Sequence, residues 1–189
     1  ARLVQSLGDL AQLDEPQFAL RLEQLDVAEL LGDIALRFAP RASAQGVRLW
    51  AEAPGDPPAR AELDIELFER AVANLVDNAL KFCPAGGEIA LAARRVDGQV
   101  QVSVRDSGSG IAEGEQPHLF DRFYQSRQSV APATGEGGKG LGLAIAHVVA
   151  TRHGGGIVAA NRPVGGLSVR MALRPMPETA MAGVTAAVT

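Results

Sequence analysis

Apolar residues recur along this chain with two periods, and the switches between them mark the elements. Leu3, Leu7, Leu10 and Leu13 fall three and four apart, the apolar stripe of a helix. That stripe is too short to stand alone and predicts a partner helix. Pro16 stops it, and Phe18, Leu20 and Leu22 then alternate with polar residues as in a strand. Asp26 with Glu29 reads as a capping box, opening a helix from about residue 27 with Leu30, Leu31, Ile34 and Phe38 on its apolar face. Pro40 marks a kink or an interruption, and Gly46 ends the segment. Residues 47–52 read as a strand and residues 54–58, Pro-Gly-Asp-Pro-Pro, as a surface loop.

Asp64 caps a long helix that runs to about residue 82. Its predicted buried stripe is Leu67, Phe68, Ala71, Val72, Leu75, Ala79 and Leu80. Residues 88–96 and 99–105 are paired strands across the hairpin signal Asp97-Gly98. Residues 112–139 lack periodicity apart from a short helical piece near 117–124, and a stretch of that length is a lid or a disordered segment. A helix follows over about 141–152, ended by Gly154, Gly155 and Gly156. Residues 157–160 and 167–173 form a last strand pair, and beyond Pro175 the chain turns small and polar, as a frayed tail does. This order predicts a two-layer α/β (α+β) sandwich, its mixed, largely antiparallel sheet covered on one face by three helices.

Composition narrows the field. A net charge of −4 argues against nucleic acid, whose phosphates need a basic face. The single cysteine, Cys83, excludes an internal disulfide and reads as a small buried apolar residue. No apolar run reaches the about 18 residues that would span a membrane.

Three polar clusters interrupt the pattern. Asn74, Asn78 and Lys81 are four and three apart, so one edge of the long helix presents all three. Asparagine is a mediocre helix former, and two on one edge call for a reason beyond a solvated face. An amide oxygen is a hard neutral ligand suited to Mg²⁺, which takes few protein groups and leans on phosphates for the rest. Asp106 leaves a strand just before Gly108 and Gly110, which on its own reads as a turn. Gly140 and Gly142 open a helix, where exposed N–H groups and the positive dipole end suit a phosphate. Two other motifs fail. Gly135, Gly137 and Gly140 follow a loop, where a dinucleotide fold needs a strand, and Gly138-Lys139-Gly140 lacks the Ser or Thr of a P-loop.

In order, these clusters resemble the N, G1, F and G2 boxes of sensor histidine kinases, members of the gyrase, chaperone and mismatch-repair ATPase superfamily with the Bergerat-type fold. The F box is Leu119-Phe120-Asp121-Arg122-Phe123-Tyr124. The resemblance covers roughly residues 18–175. It implies an ATP-binding catalytic domain, residues 16–175, that uses Mg²⁺ to transfer the γ-phosphoryl group to a histidine. Asn78 would be the metal ligand, Lys81 would neutralise phosphate charge, and Asn74 would touch phosphate or water. Asp106 would accept from the adenine amine, and Gly108 and Gly110 would keep Cβ atoms out of the base pocket. Phe82, Ile111 and Phe120 would line the nucleotide site. Lys139, Gly140, Leu141, Gly142 and Leu143 would meet its phosphates within an ATP lid, with Arg122 and Arg127 as further cations. Asp77, turned about 100° from Asn78, would reach the acceptor histidine.

His118, His147 and His153 lie in no acceptor context and read as structural or exposed. Residues 1–15 are expected to be the end of the second helix of a dimerisation hairpin, and 176–189 a disordered tail. The implied partners are the protein's own dimerisation and phosphotransfer domain, a second copy of the parent, and a response regulator. The implied location is a cytoplasmic domain of a bacterial inner-membrane protein. Rival readings are an ATP-hydrolysing relative, a serine kinase with the same pocket, and a nucleotide-binding module without transfer. In hydrolysing relatives the position of Asn74 carries a glutamate.

Overall fold

The computed structural model describes residues 8, 10–13, 15, 17–125 and 140–174. Its elements in chain order are β1 (Glu23–Asp26), α1 (Val27–Ala44), β2 (Arg48–Ala51), β3 (Arg60–Leu63), α2 (Ile65–Phe82), β4 (Glu88–Val96), β5 (Gln99–Asp106), a 3-10 turn (Gln116–His118), α3 (Gly142–Arg152), β6 (Gly156–Asn161) and β7 (Leu167–Leu173). The main sheet has the order β2-β4-β5-β7-β6. Only β2–β4 is parallel, which makes the sheet mixed and largely antiparallel. α1, α2 and α3 cover one face, as expected.

Strand alternation decides which face that is. Ile89, Leu91 and Ala93 of β4, Val100, Val102 and Val104 of β5, and Val169, Met171 and Leu173 of β7 are buried inward. The helices meet them with Leu31 and Ile34, with Phe68, Val72 and Val76, and with Ile145 and Val149. Phe68 is wholly buried, and truncating such a residue to Ala costs about 3–5 kcal/mol. That anchorage fixes the rotation of α2, and with it the edge that carries the asparagines.

α2 begins where expected. Asp64 Oδ1 accepts from Leu67 N at 3.2 Å and Oδ2 from Arg21 N at 3.0 Å. The Asp64 backbone N–H donates to His153 Nε2 at 2.9 Å, while His153 Nδ1 sits 2.8 Å from the Val149 carbonyl. Through these two contacts His153 ties the start of α2 to the end of α3. All seven residues of the predicted α2 stripe are buried, with Val76 added.

Several expectations need correction. Phe18 and Leu20 do turn inward, but the strand lies later, at 23–26, because its partner is β3. β3 has no sequence signal of its own beside Pro57 and Pro58. Pro40 does not interrupt α1, which runs through it. The helical piece near 117–124 is a single 3-10 turn. Phe123 of the F box is 58% exposed with φ +63. Leu10 and Leu13 are helical and buried, with Arg152 donating to the carbonyls of Leu13 and Glu15. Leu3 and Leu7, the residues from 126 to 139, and the tail beyond 174 lie outside the described residues.

Candidate functional site

α2 brings the boxes together. A Cβ at Gly142, the first residue of α3, would stand 3.3 Å from Asn74 Oδ1. Two turns further along α2, a Cβ at Gly108 would lie 2.7 Å from the Phe82 carbonyl oxygen. One helix edge thus touches both glycine turns, and in both the absence of a side chain permits the approach. The F-box segment joins at the α3 end, where Phe123 N donates to Gly140 O at 2.8 Å. Gly140 has φ +71, and a Cβ there would strike the Phe123 and Tyr124 backbone at 2.6 Å.

At the Asn74 end, polar groups are left open. Asn74 Nδ2 is buried with no hydrogen-bond partner among the described residues. An amide in that condition costs about 1–3 kcal/mol. Asn78 and Lys81 are partly exposed on the same edge. The Lys81 ammonium stands 5.1 Å from the Phe82 ring centroid, a weak hold on a flexible side chain. Asp77 points to the other side, where Arg41 of α1 pairs with it. Among the described residues no three His, Cys, Asp or Glu side chains converge as a metal cage. The Asn78 amide oxygen is a hard neutral donor of the kind Mg²⁺ accepts beside phosphates, and the open Asn74 amide fits a polar ligand.

At the Asp106 end, nearly everything is paired. Asp106 is 5% exposed. Its Oδ1 accepts from Gly108 N at 2.8 Å and from Leu167 N at 3.2 Å, which leaves Oδ2 for a ligand. Burial raises its pKa above the ordinary aspartate value; the two N–H donors and the Arg162 charge pull the other way. The carboxylate is thus a desolvated acceptor, suited to a specific donor and poorly suited to water.

Sequence reasoning missed part of this end. Asn161 Oδ1 accepts from Ile111 N at 2.8 Å, and its Nδ2 donates to Ile111 O at 2.8 Å. Arg162 Nη1 donates to the Asp106 carbonyl at 2.6 Å. Gly166, φ +88, lies so close that a Cβ would sit 2.0 Å from Asp106 O. Ser107 Oγ accepts from Glu88 N at 2.8 Å and sits 3.7 Å from Cys83 Sγ. Asn161, Arg162 and Gly166 lie between the last two predicted strands, where nothing in the sequence sets them apart. Only the β5–β7 pairing places that turn beside residues 106–111.

Of the remaining predicted site residues, Leu141 is buried, and Ile111, Phe120 and Leu143 pack partly buried against the core. The Phe120 ring stacks at a tilt on His147, centroids 5.9 Å apart. Lys139 and Arg127 lie outside the described residues. His118 and His147 are exposed and His153 is buried and structural, as their sequence contexts implied. A separate cavity, lined by Trp50, Glu52, Glu88, Ala90, Arg105 and Arg162, lies on the helix-free face of the sheet.

Residues 63–177 match the family described as Histidine kinase-, DNA gyrase B-, and HSP90-like ATPase. The chain belongs to that family. It is 35% identical over 173 residues to the sensor protein KdpD of Escherichia coli, covering 91% of this chain and 18% of KdpD. It is 32% identical over 180 residues to the sensor-like histidine kinase SenX3 of Mycolicibacterium smegmatis, covering 94% of this chain and 46% of SenX3. The chain thus spans less than half of either relative. The crystal structure of full-length ShkA in complex with AMPPNP superposes with a TM-score of 0.73 at 25% identity, over 92% of this chain and 36% of that one. These likenesses place the chain among the ATP-binding catalytic domains of sensor histidine kinases, and the sandwich described above is their fold.

Proposed function

We propose that this chain holds Mg·ATP and delivers its γ-phosphoryl group to a histidine imidazole on a dimerisation and phosphotransfer domain of the same protein. One observation carries the reading: α2 alone reaches both ends of the site, Asn74 at the first turn of α3 and Phe82 at the Asp106 loop. Eight residues of helix separate them, about 12 Å, room for a base, a sugar and a phosphate chain.

In this reading Asp106 Oδ2 accepts from the exocyclic amine of adenine, and Phe82, Gly108, Gly110, Ile111 and Phe120 shape the base and sugar side. Asn78 holds Mg²⁺, which when bound neutralises phosphate charge. Lys81 and Lys139 add cations, Asn74 meets a phosphate oxygen or its water, and the backbone of 140–143 meets the phosphates. The lid that the resemblance implies over residues 112–139 extends beyond the described residues. Asp77 faces the acceptor side. Phosphoryl transfer asks mainly for placement and charge neutralisation. Asn74 argues against hydrolysis, since an amide accepts no proton at neutral pH. We further infer that residues 1–15 close a dimerisation hairpin, that 16–175 are the catalytic domain and 176–189 a tail. The parent is proposed as a homodimer of the bacterial inner membrane that passes phosphate to a response regulator in the cytoplasm.

The test is phosphate transfer from γ-labelled ATP in the full-length protein. Acid-labile, alkali-stable label, lost in Asn78→Ala, is expected, while this chain alone binds ATP without labelling itself. Acid-stable phosphoester would favour the serine kinase. Multiple turnovers per second of phosphate release by this chain would favour the ATPase.

A further inference from the structure

Residues 106–111 form a loop with two glycines, and Gly110 has φ +71. Left to itself such a loop samples many conformations, at about 1–2 kcal/mol of ordering entropy per residue. Here both of its ends are fastened to one place, the start of the β6–β7 turn. Asn161 bonds Ile111 twice, accepting from its N–H and donating to its carbonyl, each at 2.8 Å. The next residue, Arg162, donates to the Asp106 carbonyl at 2.6 Å. The same turn supplies Leu167 N to Asp106 Oδ1.

We propose that Asn161 and Arg162 are positioning residues for the base end of the site: by clamping Ile111 and Asp106 to the β6–β7 turn they set nucleotide affinity and base selectivity through the loop. The pairing at Ile111 is that of a strand partner, made by a side chain. It needs one acceptor and one donor on a short planar group, which Asn has. Asp lacks the donor, Ser offers one atom, and Gln stands a methylene too far out. Gly110 fits the same device. A Cβ there would lie 2.6 Å from Asn161 Oδ1, so the second glycine of the box makes room for the clamp. The loop therefore has a reason for its glycines within the protein, in addition to the one the resemblance implies. The pair lies at the surface, where single hydrogen bonds compete with water. Two bonds from one rigid group hold an orientation that either alone would not.

The inference rests on Asp106 as the base acceptor, and the experiment separates the two. ATP and GTP affinities are measured by calorimetry for the parent, Asn161→Ala, Asn161→Asp, Arg162→Ala and Asp106→Asn, alongside melting curves and amide exchange at Ile111. Asn161→Ala is expected to weaken ATP binding roughly tenfold, as two lost hydrogen bonds allow. It should also lower the ATP-to-GTP preference and speed exchange at Ile111, with the melting transition retained. Asn161→Asp, which keeps the acceptor for Ile111 N, should fall between. If Asn161→Ala fails to fold, Arg162→Ala carries the test, since its guanidinium is partly exposed and makes one bond to the loop. Weakened binding in Asp106→Asn with unchanged affinity and selectivity in folded Asn161→Ala and Arg162→Ala overturns the clamp and leaves the base site standing. Unchanged affinity in Asp106→Asn overturns both.

Discussion

The two ends of the site are built on opposite terms. At the Asp106 end Asn161 and Arg162 fasten the loop backbone, Leu167 N holds one carboxylate oxygen of Asp106, and the other oxygen is left over. At the Asn74 end a buried amide has no partner among the described residues, and further along the same edge Lys81 rests only on its neighbour's ring. The first end has its shape before any ligand arrives and asks the ligand for one donor. The second is short of hydrogen bonds, and a phosphate chain with its metal would supply them. In the proposed reading, rigidity therefore serves recognition of the base, and unmet polar capacity the phosphates. Both arrangements cost stability, one by desolvating a charge and the other by orphaning an amide.

The largest expected effect breaks the rigid end. In Gly166→Ala the new Cβ meets the Asp106 carbonyl oxygen at 2.0 Å, at φ +88. Overpacking and the left-handed backbone together should cost about 3 kcal/mol in denaturant unfolding. Gly165→Ala is the control. It has a similar φ of +92 but nothing within 4 Å of the added atom, so about 1 kcal/mol is expected. Equal losses in the two variants would mean that the close approach to Asp106 carries no strain.

Next in size is Asp106→Asn. The amide keeps an acceptor for Gly108 N and Leu167 N, so the fold stays, while a neutral group replaces a charged one. ATP affinity should fall by about 1–3 kcal/mol in calorimetry. Stability should move the other way. Asp106 has its pKa raised in the folded state, mainly by burial. Such a group favours the fold most below the unfolded aspartate value, and that contribution is lost as pH rises through the folded value. At neutral pH the buried charge is a net cost that the variant lacks. The parent should therefore lose stability relative to Asp106→Asn as pH rises from the acid side. A parallel pair of stability–pH curves would remove the desolvated charge from the account.

A third variant addresses the open end. Asn78→Ala should leave the fold intact, since the side chain is partly exposed, and should remove the gain in ATP affinity that Mg²⁺ confers. Equal Mg²⁺ enhancement in both proteins would take Asn78 out of the metal site.

The same contrast explains what the sequence made legible. The open end lies on one helix, so spacings of three and four place Asn74, Asn78 and Lys81 together without a structure. The apolar stripe around Phe68 fixes which edge they share. The rigid end depends on partners 50 to 61 residues away, Asn161 with Ile111 and Leu167 with Asp106. No local pattern announces such pairs. Asp106, Gly108 and Gly110 stood out by their order, while Asn161 and Arg162 looked like any turn. β1 lies later than the local alternation suggests, and β3 goes unannounced, for the same reason. Their four-residue ladder is specified by each other, and Phe18 and Leu20 imitate its alternation just upstream.

The smallest expected effect is also the sharpest test of the comparison. Asn74→Ala removes an amide whose Nδ2 is buried and unpartnered, and it replaces a mediocre helix former with the best one. Both changes favour the free protein. The methyl group also leaves the space beside Gly142 less filled, which returns part of the gain. A net stabilisation of about 0.5–1 kcal/mol is expected in denaturant unfolding. ATP affinity should fall at the same time, because in the proposed site the group removed meets a phosphate oxygen or its water. Opposite signs in two measurements on one variant are what an unmet polar group predicts, and a packed structural asparagine would lose in the first. If Asn74→Ala unfolds more readily than the parent, the amide has a partner, and the two ends of the site do not differ in the way argued.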